Sequence, residues 1–230
     1  MKKIVVFTGA GISADSGIAT FRDSDGLWAN YCIEDVCTPE ALFRNRENVI
    51  DFYNIRRKEL LGKHPNNAHL ALVELEKQYH VDIVTQNIDD LHERAGSTNV
   101  THLHGELRKL RSENGELATV PIDGWEQKLD ARHPDGSLLR PFIVFFGENV
   151  PLLSQAVELV KEADIFMIVG TSLAVYPAAS LIHYVKPHTP IFLVDPGNPD
   201  TRTIISPFTH INAKAAEGVP ILVKQLCQAN

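Results

Sequence analysis

The chain has 230 residues, 44% of them hydrophobic and 22% charged, with a formal net charge of −7. That length suits one sizeable core with room for a small insert, and the acidic balance argues against non-specific nucleic-acid binding, which needs a basic surface. No apolar run approaches the roughly 18 residues of a membrane span, and three cysteines without framework spacing exclude a disulfide scaffold. Met1-Lys2-Lys3 before Ile4 to Phe7 is too short a start for a signal peptide, so a cytoplasmic protein without a membrane partner is expected.

In chain order, the β-branched apolar run Ile4–Phe7 reads as a buried parallel strand. It ends in Thr8-Gly9-Ala10-Gly11-Ile12-Ser13-Ala14, a G-x-G-x-x-A turn that can bring backbone close to a pyrophosphate at a helix N-terminus. Asp15 follows as a first-turn acid favourable to the helix dipole. Residues 29–66 are helical and charged, without a buried-strand signature. A helix is predicted over Asn67–Tyr79, where Leu70, Val73 and Leu75 recur at helical spacing after Pro65. Val81–Val84 predicts a second strand. Residues 107–139 are polar and broken by Gly115, Pro121, Gly124, Pro134 and Gly136. Strands are then expected at Phe142–Phe146, Ile165–Val169 and Ile191–Val194, and helices at Ser154–Glu162, Ala178–Val185 and Pro220–Gln225. This alternation implies an α/β fold, a Rossmann-like doubly wound parallel sheet. The expected organisation is one domain over residues 1–230. Its core comprises 1–28, 67–106 and 140–230, and a small inserted lobe comprises 29–66 and 107–139.

Several residues stand where chemistry would need them. His104 can accept a hydroxyl proton near neutral pH, unless it merely ends a strand. Asn87 and Asp89, at the end of a strand, share one side and suit either an Asx-type cap or a ligand amide. Gly170-Thr171-Ser172 and Asp195 also follow buried strands, where ligands of open α/β sheets sit. Tyr53 and Arg56, three apart, lie on one helix face and can grip a carboxylate; the alternative is a solvated face, as Arg57 beside them would suggest.

The segment Ile4–Trp28, which includes Ser16-Gly17-Ile18, Thr20-Phe21-Arg22 and Gly26-Leu27-Trp28, runs well past a generic Rossmann turn. With Thr85-Gln86-Asn87-Ile88-Asp89-Asp90-Leu91-His92, His102-Leu103-His104-Gly105, Gly170-Thr171-Ser172 and Tyr176-Pro177-Ala178-Ala179, it resembles the sirtuins, the NAD-dependent protein-lysine deacylases, over nearly the full chain. The resemblance implies NAD as cofactor and acylated-lysine proteins as substrates. It makes His104 the base for a ribose hydroxyl, His102 structural, and Asn87 and Asp89 the readers of the nicotinamide carboxamide. It assigns cofactor contacts to Gly9, Ala10, Gly11, Ile12, Asp15, Phe21, Arg22, Trp28, Gln86, Ile88, Gly170, Thr171, Ser172, Asp195 and Ala215. Asp195 departs from the asparagine that sirtuins often carry there.

The resemblance also makes Tyr53 and Arg56 the pair that selects succinyl, malonyl and glutaryl groups, with residual deacetylase activity. Cys37 then stands where an alanine usually opens the acyl pocket. Val144, Phe145, Phe146, Gly147 and Glu148 resemble the strip that pairs with substrate by strand addition. An NAD glycohydrolase, an ADP-ribosyltransferase and a non-catalytic NAD sensor are the competing readings. Most sirtuins carry two C-x-x-C pairs after the histidine, whereas this chain has no cysteine between Cys37 and Cys227. No structural zinc is therefore expected. Leu107, Leu110, Leu117, Val120, Ile122, Trp125 and Leu129 are expected to hold residues 107–139 instead.

Overall fold

The computed structural model describes residues 1–19, 31–197, 199, 201–204 and 206–228. Six short, mostly apolar runs form one parallel sheet in the order β3-β2-β1-β7-β8-β9. These are β1 (Lys3–Thr8), β2 (His80–Thr85), β3 (Val100–His102), β7 (Ile165–Val169), β8 (Ile191–Val194) and β9 (Phe208–Ile211). Strand β1 shows why both faces must be covered. Ile4 and Val6 enter one apolar cluster with helices α4 (Asn67–Leu75) and α7 (Ala215–Gln228). Val5 and Phe7 enter another with α6 (Leu153–Lys161) and the 3-10 helix Ala178–Tyr184. The α/β doubly wound expectation therefore holds.

The sheet order reverses between β1 and β7, which creates a crevice at the carboxyl ends of the strands. Registers align those ends: Thr8 pairs with Thr85 and Val169, Thr85 with His102, and Val169 with Val194. Gly9, Gln86, Leu103, Gly170 and Asp195 thus leave the sheet in one row. At the seam, Gly9 N–H donates to the Val169 carbonyl at 3.0 Å and Gly11 N–H to that of Gly170 at 2.9 Å. A Cβ on Gly11 would sit 2.7 Å from the Gly170 Cα, and Gly170 itself has φ +61°. Glycine is required at these positions by backbone-on-backbone contact within the protein.

A second, three-stranded antiparallel sheet has the order β5-β4-β6, from β4 (Gly105–Ser112), β5 (Thr119–Pro121) and β6 (Leu139–Ile143). The strand expected at Phe142–Phe146 is β6. It begins earlier, ends at Ile143 and joins this sheet rather than the parallel one. Helices α1 (Ile33–Val36), α2 (Pro39–Arg44) and α3 (Arg46–Leu61) lie between β1 and α4 in the chain, and α5 (Leu91–Ala95) follows β2. A third apolar cluster joins α1–α3 to Leu107, Ile143 and Phe145.

Local signals explain several boundaries. Helix α4 starts at a capping box, in which Asn66 accepts from the first-turn backbone and His69 reaches back to the Asn66 N–H. The G-x-G-x-x-A turn leads into two short 3-10 turns, Ala10–Ile12 and Ala14–Ser16, not directly into an α-helix. Ala178–Tyr184 is likewise a 3-10 helix, not an α-helix. No helix among the described residues is long and apolar enough to cross a membrane.

Of the apolar residues expected to hold residues 107–139, Leu107, Leu110 and Ile122 are buried and Val120 packs against Leu110, Ile122 and Leu139, whereas Leu117, Trp125 and Leu129 are exposed. Polar bonds supplement the buried ones. Asn54 and Gln127 exchange two hydrogen bonds at 3.0 and 2.8 Å. Arg57 donates to the carbonyls of Leu107 at 2.8 Å and Trp125 at 2.6 Å. Arg57, which the sequence presents as a cheap surface charge, is fully buried.

Candidate functional site

A cavity of about 380 Å³ opens beside the switch point, between the end of β2 and helix α3. Ala10, Gln86, Asn87, Ile88, Asp89 and His104 line one side, and Cys37, Tyr53, Arg56, Leu107 and Ile143 line the rest. The structure thus brings the expected base, the expected amide readers and the expected carboxylate pair to one space. Phe21, Arg22 and Trp28 lie outside the described residues.

His104 follows β3 and is half-buried. Its Nδ1–H donates to the Gln86 carbonyl at 3.0 Å, so Nε2 keeps its lone pair. Burial lowers its pKa, and the Gln86 carbonyl partly restores it. The imidazole is therefore neutral near pH 7 and able to act as a base. The Gln86 side chain spans the switch point and donates to Thr171 Oγ1 at 2.9 Å.

The amide of Asn87 is bound within the protein. Nδ2 donates to the Gly9 carbonyl at 3.1 Å and to Ser13 Oγ at 3.3 Å, and Ser13 in turn donates to Asp89 Oδ2 at 3.0 Å. Asp89 Oδ1 accepts the Leu91 N–H at 3.2 Å. Burial pushes the Asp89 carboxyl above its usual range, against the pull of these donors. Among the described residues, no bond is made by Asn87 Oδ1 or by the N–H groups of Ile88 and Asp89. The segment therefore offers acceptors and donors in the proportions a carboxamide needs, with backbone N–H rather than the Asn87 NH₂ as donor. Ser13 was missed in the sequence because a serine in a glycine-rich turn has no distinguishing pattern.

His102 holds this segment from behind. Its Nδ1 donates to the Asn87 carbonyl and its Nε2 to Glu93, both at 2.8 Å. Burial opposes its charge, but Glu93 and the Asn87 carbonyl raise its pKa overall. Nearby, His69 and His92 are fully buried. Burial lowers His69 to about 4. Burial, then the neighbouring His69 and His102, take His92 well below its usual value. Both are neutral in the fold, and when unfolded they bind protons below pH 6.5. The unfolded chain then holds more protons, so stability falls as pH drops from 6.5 toward about 4. The slope is about 1.4 kcal/mol per pH unit for each imidazole. His102 acts in the opposite sense: its contribution is complete below pH 6.5 and is lost as pH rises through its raised value. Scanning calorimetry should show a steady fall in melting temperature on acidification through this window. A flat profile would contradict the neutral pair.

At the other end of the cavity, Cys37 Sγ and Tyr53 Oη are 3.3 Å apart. Burial raises both groups, Tyr53 well above the phenol range, so both keep their protons. The Tyr53 ring stacks on Phe145, with centroids 5.9 Å apart, and the Arg140 guanidinium lies 3.9 Å from the centre of the Phe145 ring. Arg56 lines the cavity. Burial lowers its pKa, while Tyr53, Cys37, Glu59 and Asp89 counteract this. Glu59 and Leu60, in the last turn of α3, and Gly62 and Lys63, just after it, also line it, and the sequence carries no signal for any of them.

The remaining expected residues stand apart from the cavity. Gly9, Gly11 and Ile12 form the seam turn, and Asp15 pairs with Lys214 at 3.4 Å. Gly170, Thr171, Ser172 and Asp195 follow β7 and β8, and buried Ala215 begins α7. Asp195 Oδ1 accepts the Gly197 N–H at 2.8 Å, so this carboxylate caps its own turn. In the strip 144–148 the N–H groups are turned inward: Val144 donates to His104 O, Phe145 to Glu148 and Phe146 to Cys37 O, at 2.8–3.0 Å. The Glu148 carboxylate is held by Arg111 at 2.9 Å and Arg140 at 2.6 Å. No three His, Cys, Asp or Glu among the described residues are placed to hold a metal ion.

Comparison with known proteins places this geometry. Residues 9–177 match the model of the Sir2 family. The chain is 50% identical over 235 residues to the NAD-dependent protein deacylase of Bacteroides thetaiotaomicron, covering 100% of both. It is 56% identical over 202 residues to the NAD-dependent protein deacylase of Aggregatibacter actinomycetemcomitans, covering 87% of this chain and 96% of that one. Among solved structures, a Sir2 homolog–NAD complex superposes with a TM-score of 0.88 at 40% identity, covering 99% of this chain and 90% of the other.

Proposed function

The chain belongs to the Sir2 family, and on that premise we propose that it is an NAD-dependent protein deacylase which prefers acidic acyl groups on lysine and removes acetyl more slowly. The observation that carries the acyl preference is the shared cavity, in which His104 and the Asn87–Asp89 segment face the same space as Cys37, Tyr53 and Arg56. When bound, NAD supplies an electrophilic ribose carbon with nicotinamide as its leaving group. Asn87 Oδ1, the Asp89 carboxylate and the N–H groups of Ile88 and Asp89 would hold the carboxamide. His104 Nε2 would take up the proton of a ribose hydroxyl, and the released products would be free lysine, nicotinamide and O-acyl-ADP-ribose.

Tyr53 stays protonated and so donates, and Arg56 brings a fork of donors. Together they complement a terminal carboxylate at the far end of an acyl chain. The thiol of Cys37 occupies space beside them, which favours a short dicarboxylic chain. Acyl-lysine proteins are the substrates this reading implies.

The test is NAD-dependent acyl loss from paired succinyl-lysine and acetyl-lysine peptides, followed by mass spectrometry. Succinyl loss should dominate in the wild type. Arg56→Met should raise the KM for the succinyl peptide about 10–100-fold, since a charged hydrogen-bonded pair contributes roughly 1.5–3 kcal/mol, and leave the acetyl peptide within about threefold. Equal effects on both peptides would reduce Arg56 to a scaffold residue. Nicotinamide release without deacylation would replace the reading by that of an NAD glycohydrolase.

A further inference from the structure

Behind the acyl end of the cavity stand three residues, Phe145, Arg140 and Glu148, that do not line it. Phe145 is 2% exposed, whereas Phe146 beside it is 49% exposed. The Phe145 ring stacks on the Tyr53 ring, with 5.9 Å between centroids and an interplanar angle of 20°. Glu148 holds Phe145 in two ways. Its Oε2 accepts the Phe145 N–H at 2.8 Å, and its two oxygens take both terminal nitrogens of Arg140, at 2.6 and 3.2 Å. That fork fixes the guanidinium, which stands 3.9 Å from the centre of the Phe145 ring. Arg140 donates a further bond to the Ile143 carbonyl at 3.2 Å, and Arg111 braces Glu148 at 2.9 Å. On the cavity side, the Cys37 thiol meets Tyr53 Oη at 3.3 Å, while the Cys37 carbonyl accepts the Phe146 N–H at 2.9 Å. Burial, first, and Cys37 raise the Tyr53 pKa, and Arg56 and Arg140 oppose them, so the Arg140 charge reaches the phenol.

We propose that Phe145 is a specificity-determining positioning residue: clamped by Arg140 and Glu148, it sets the Tyr53 ring and so the hydroxyl that meets the acyl carboxylate. The inference rests on the acid-pocket reading of Tyr53 and Arg56. Tyr53 ends in a single O–H, whose place depends on how its ring lies. Phe145 locates the ring, and Cys37 meets the hydroxyl. With the Cys37 S–H donating to Oη, the Tyr53 O–H is free to donate to the acyl group. An acetyl group carries no carboxylate and makes no use of that hydroxyl, so the clamp bears on acidic acyl groups alone. Glu148, which the sequence places in the substrate strip, has both carboxylate oxygens engaged by the clamp and serves the acyl pocket without touching it.

A double-mutant cycle tests it, with KM measured for succinyl-lysine and acetyl-lysine peptides at saturating NAD. Tyr53→Phe should raise the succinyl KM about 10–100-fold, as one lost hydrogen bond to a charged group does. Phe145→Leu should raise it about tenfold through misplacement of the hydroxyl and leave the acetyl KM within about twofold. In the Tyr53→Phe background, Phe145→Leu should add less than about twofold. Phe145→Trp, which keeps an aromatic face, should bring the succinyl KM back to within about threefold of the wild type. Equal rises in both KM values, or a double variant in which the two single effects multiply, overturn the proposal and leave Phe145 a core residue. Should Phe145→Leu fail to fold, Glu148→Gln keeps the size and removes the charge that fixes Arg140. It should give the same split, and lose its effect in the same way on Tyr53→Phe. A wild type without succinyl preference removes the acid-pocket reading, and with it the role of the hydroxyl. The ligand-free crystal structure of Phe145→Leu still tests the clamp itself: Tyr53 Oη should lie about 1 Å or more from its wild-type place, and an unmoved hydroxyl overturns it.

Discussion

Replacing His104 by alanine is expected to lower kcat about 10²–10⁴-fold, the usual worth of a positioned general base, while NAD affinity changes less than about threefold. The separation follows from the geometry. His104 touches the protein through Nδ1 and presents Nε2 to the cavity, whereas the carboxamide groups belong to residues 87–89 and bond to Gly9, Ser13 and Leu91. Deleting the imidazole leaves those bonds intact. The pH profile carries a second signature. Burial lowers the His104 pKa, so kcat in the wild type should fall on the acid side only below the ordinary imidazole value. Calorimetric NAD binding and single-turnover nicotinamide release would separate the two quantities. Full activity in the variant would remove His104 as the base.

Arg57→Met is expected to destabilise the protein by about 3–5 kcal/mol. Arg57 is fully buried, with its guanidinium bonded to the carbonyls of Leu107 and Trp125 and to Asn54 Oδ1 at 2.6–2.8 Å. Methionine fills a similar volume but leaves the Leu107 and Trp125 carbonyls without this donor, at about 1–3 kcal/mol for each group, while Asn54 Oδ1 keeps the Gln127 N–H. Relief of the buried charge, whose pKa is lowered to about 10, offsets part of the loss. For a chain of this size the melting temperature should drop by roughly 10 °C. A shift of less than about 2 °C would mean that β4 and the Trp125 turn are held by other contacts. Because the same helix carries Tyr53 and Arg56, residual folded protein should also lose acyl discrimination.

The sequence carried the parallel sheet well because its strands are buried on both faces and read as unbroken apolar runs. Ile4–Phe7, Ile165–Val169 and Ile191–Val194 each match a strand to within a residue. It concealed Val100–His102, too short to show a period, and Phe208–Ile211, whose edge position leaves it largely exposed. Phe142–Ile143 gave a strand but not its partner, since an apolar run does not say which sheet it joins. At the site, residue types were legible where their chemistry is rare, as with His104 and Asn87-Ile88-Asp89. Bond direction was not. That the Asn87 NH₂ faces Gly9 and Ser13, that the Asp195 carboxylate caps its own turn, and that Glu148 is the counter-ion of Arg111 and Arg140 are consequences of three-dimensional neighbours. The same holds for Arg57, whose environment is supplied by segments 50 and 68 residues away.

The common height at which the strands end restricts how this chain can change length. His102, Thr85, Thr8, Val169 and Val194 stand in one row across five strands. A one-residue deletion within any of them would draw its loop back by about 3.3 Å and turn its side chains to the opposite face. Changes in length are therefore expected to be tolerated best in segments that do not reach that row, such as residues 113–118 and 130–137, which connect strands of the second sheet. Tags, reporter peptides or altered loop lengths belong there, where the reading frame of the crevice is undisturbed.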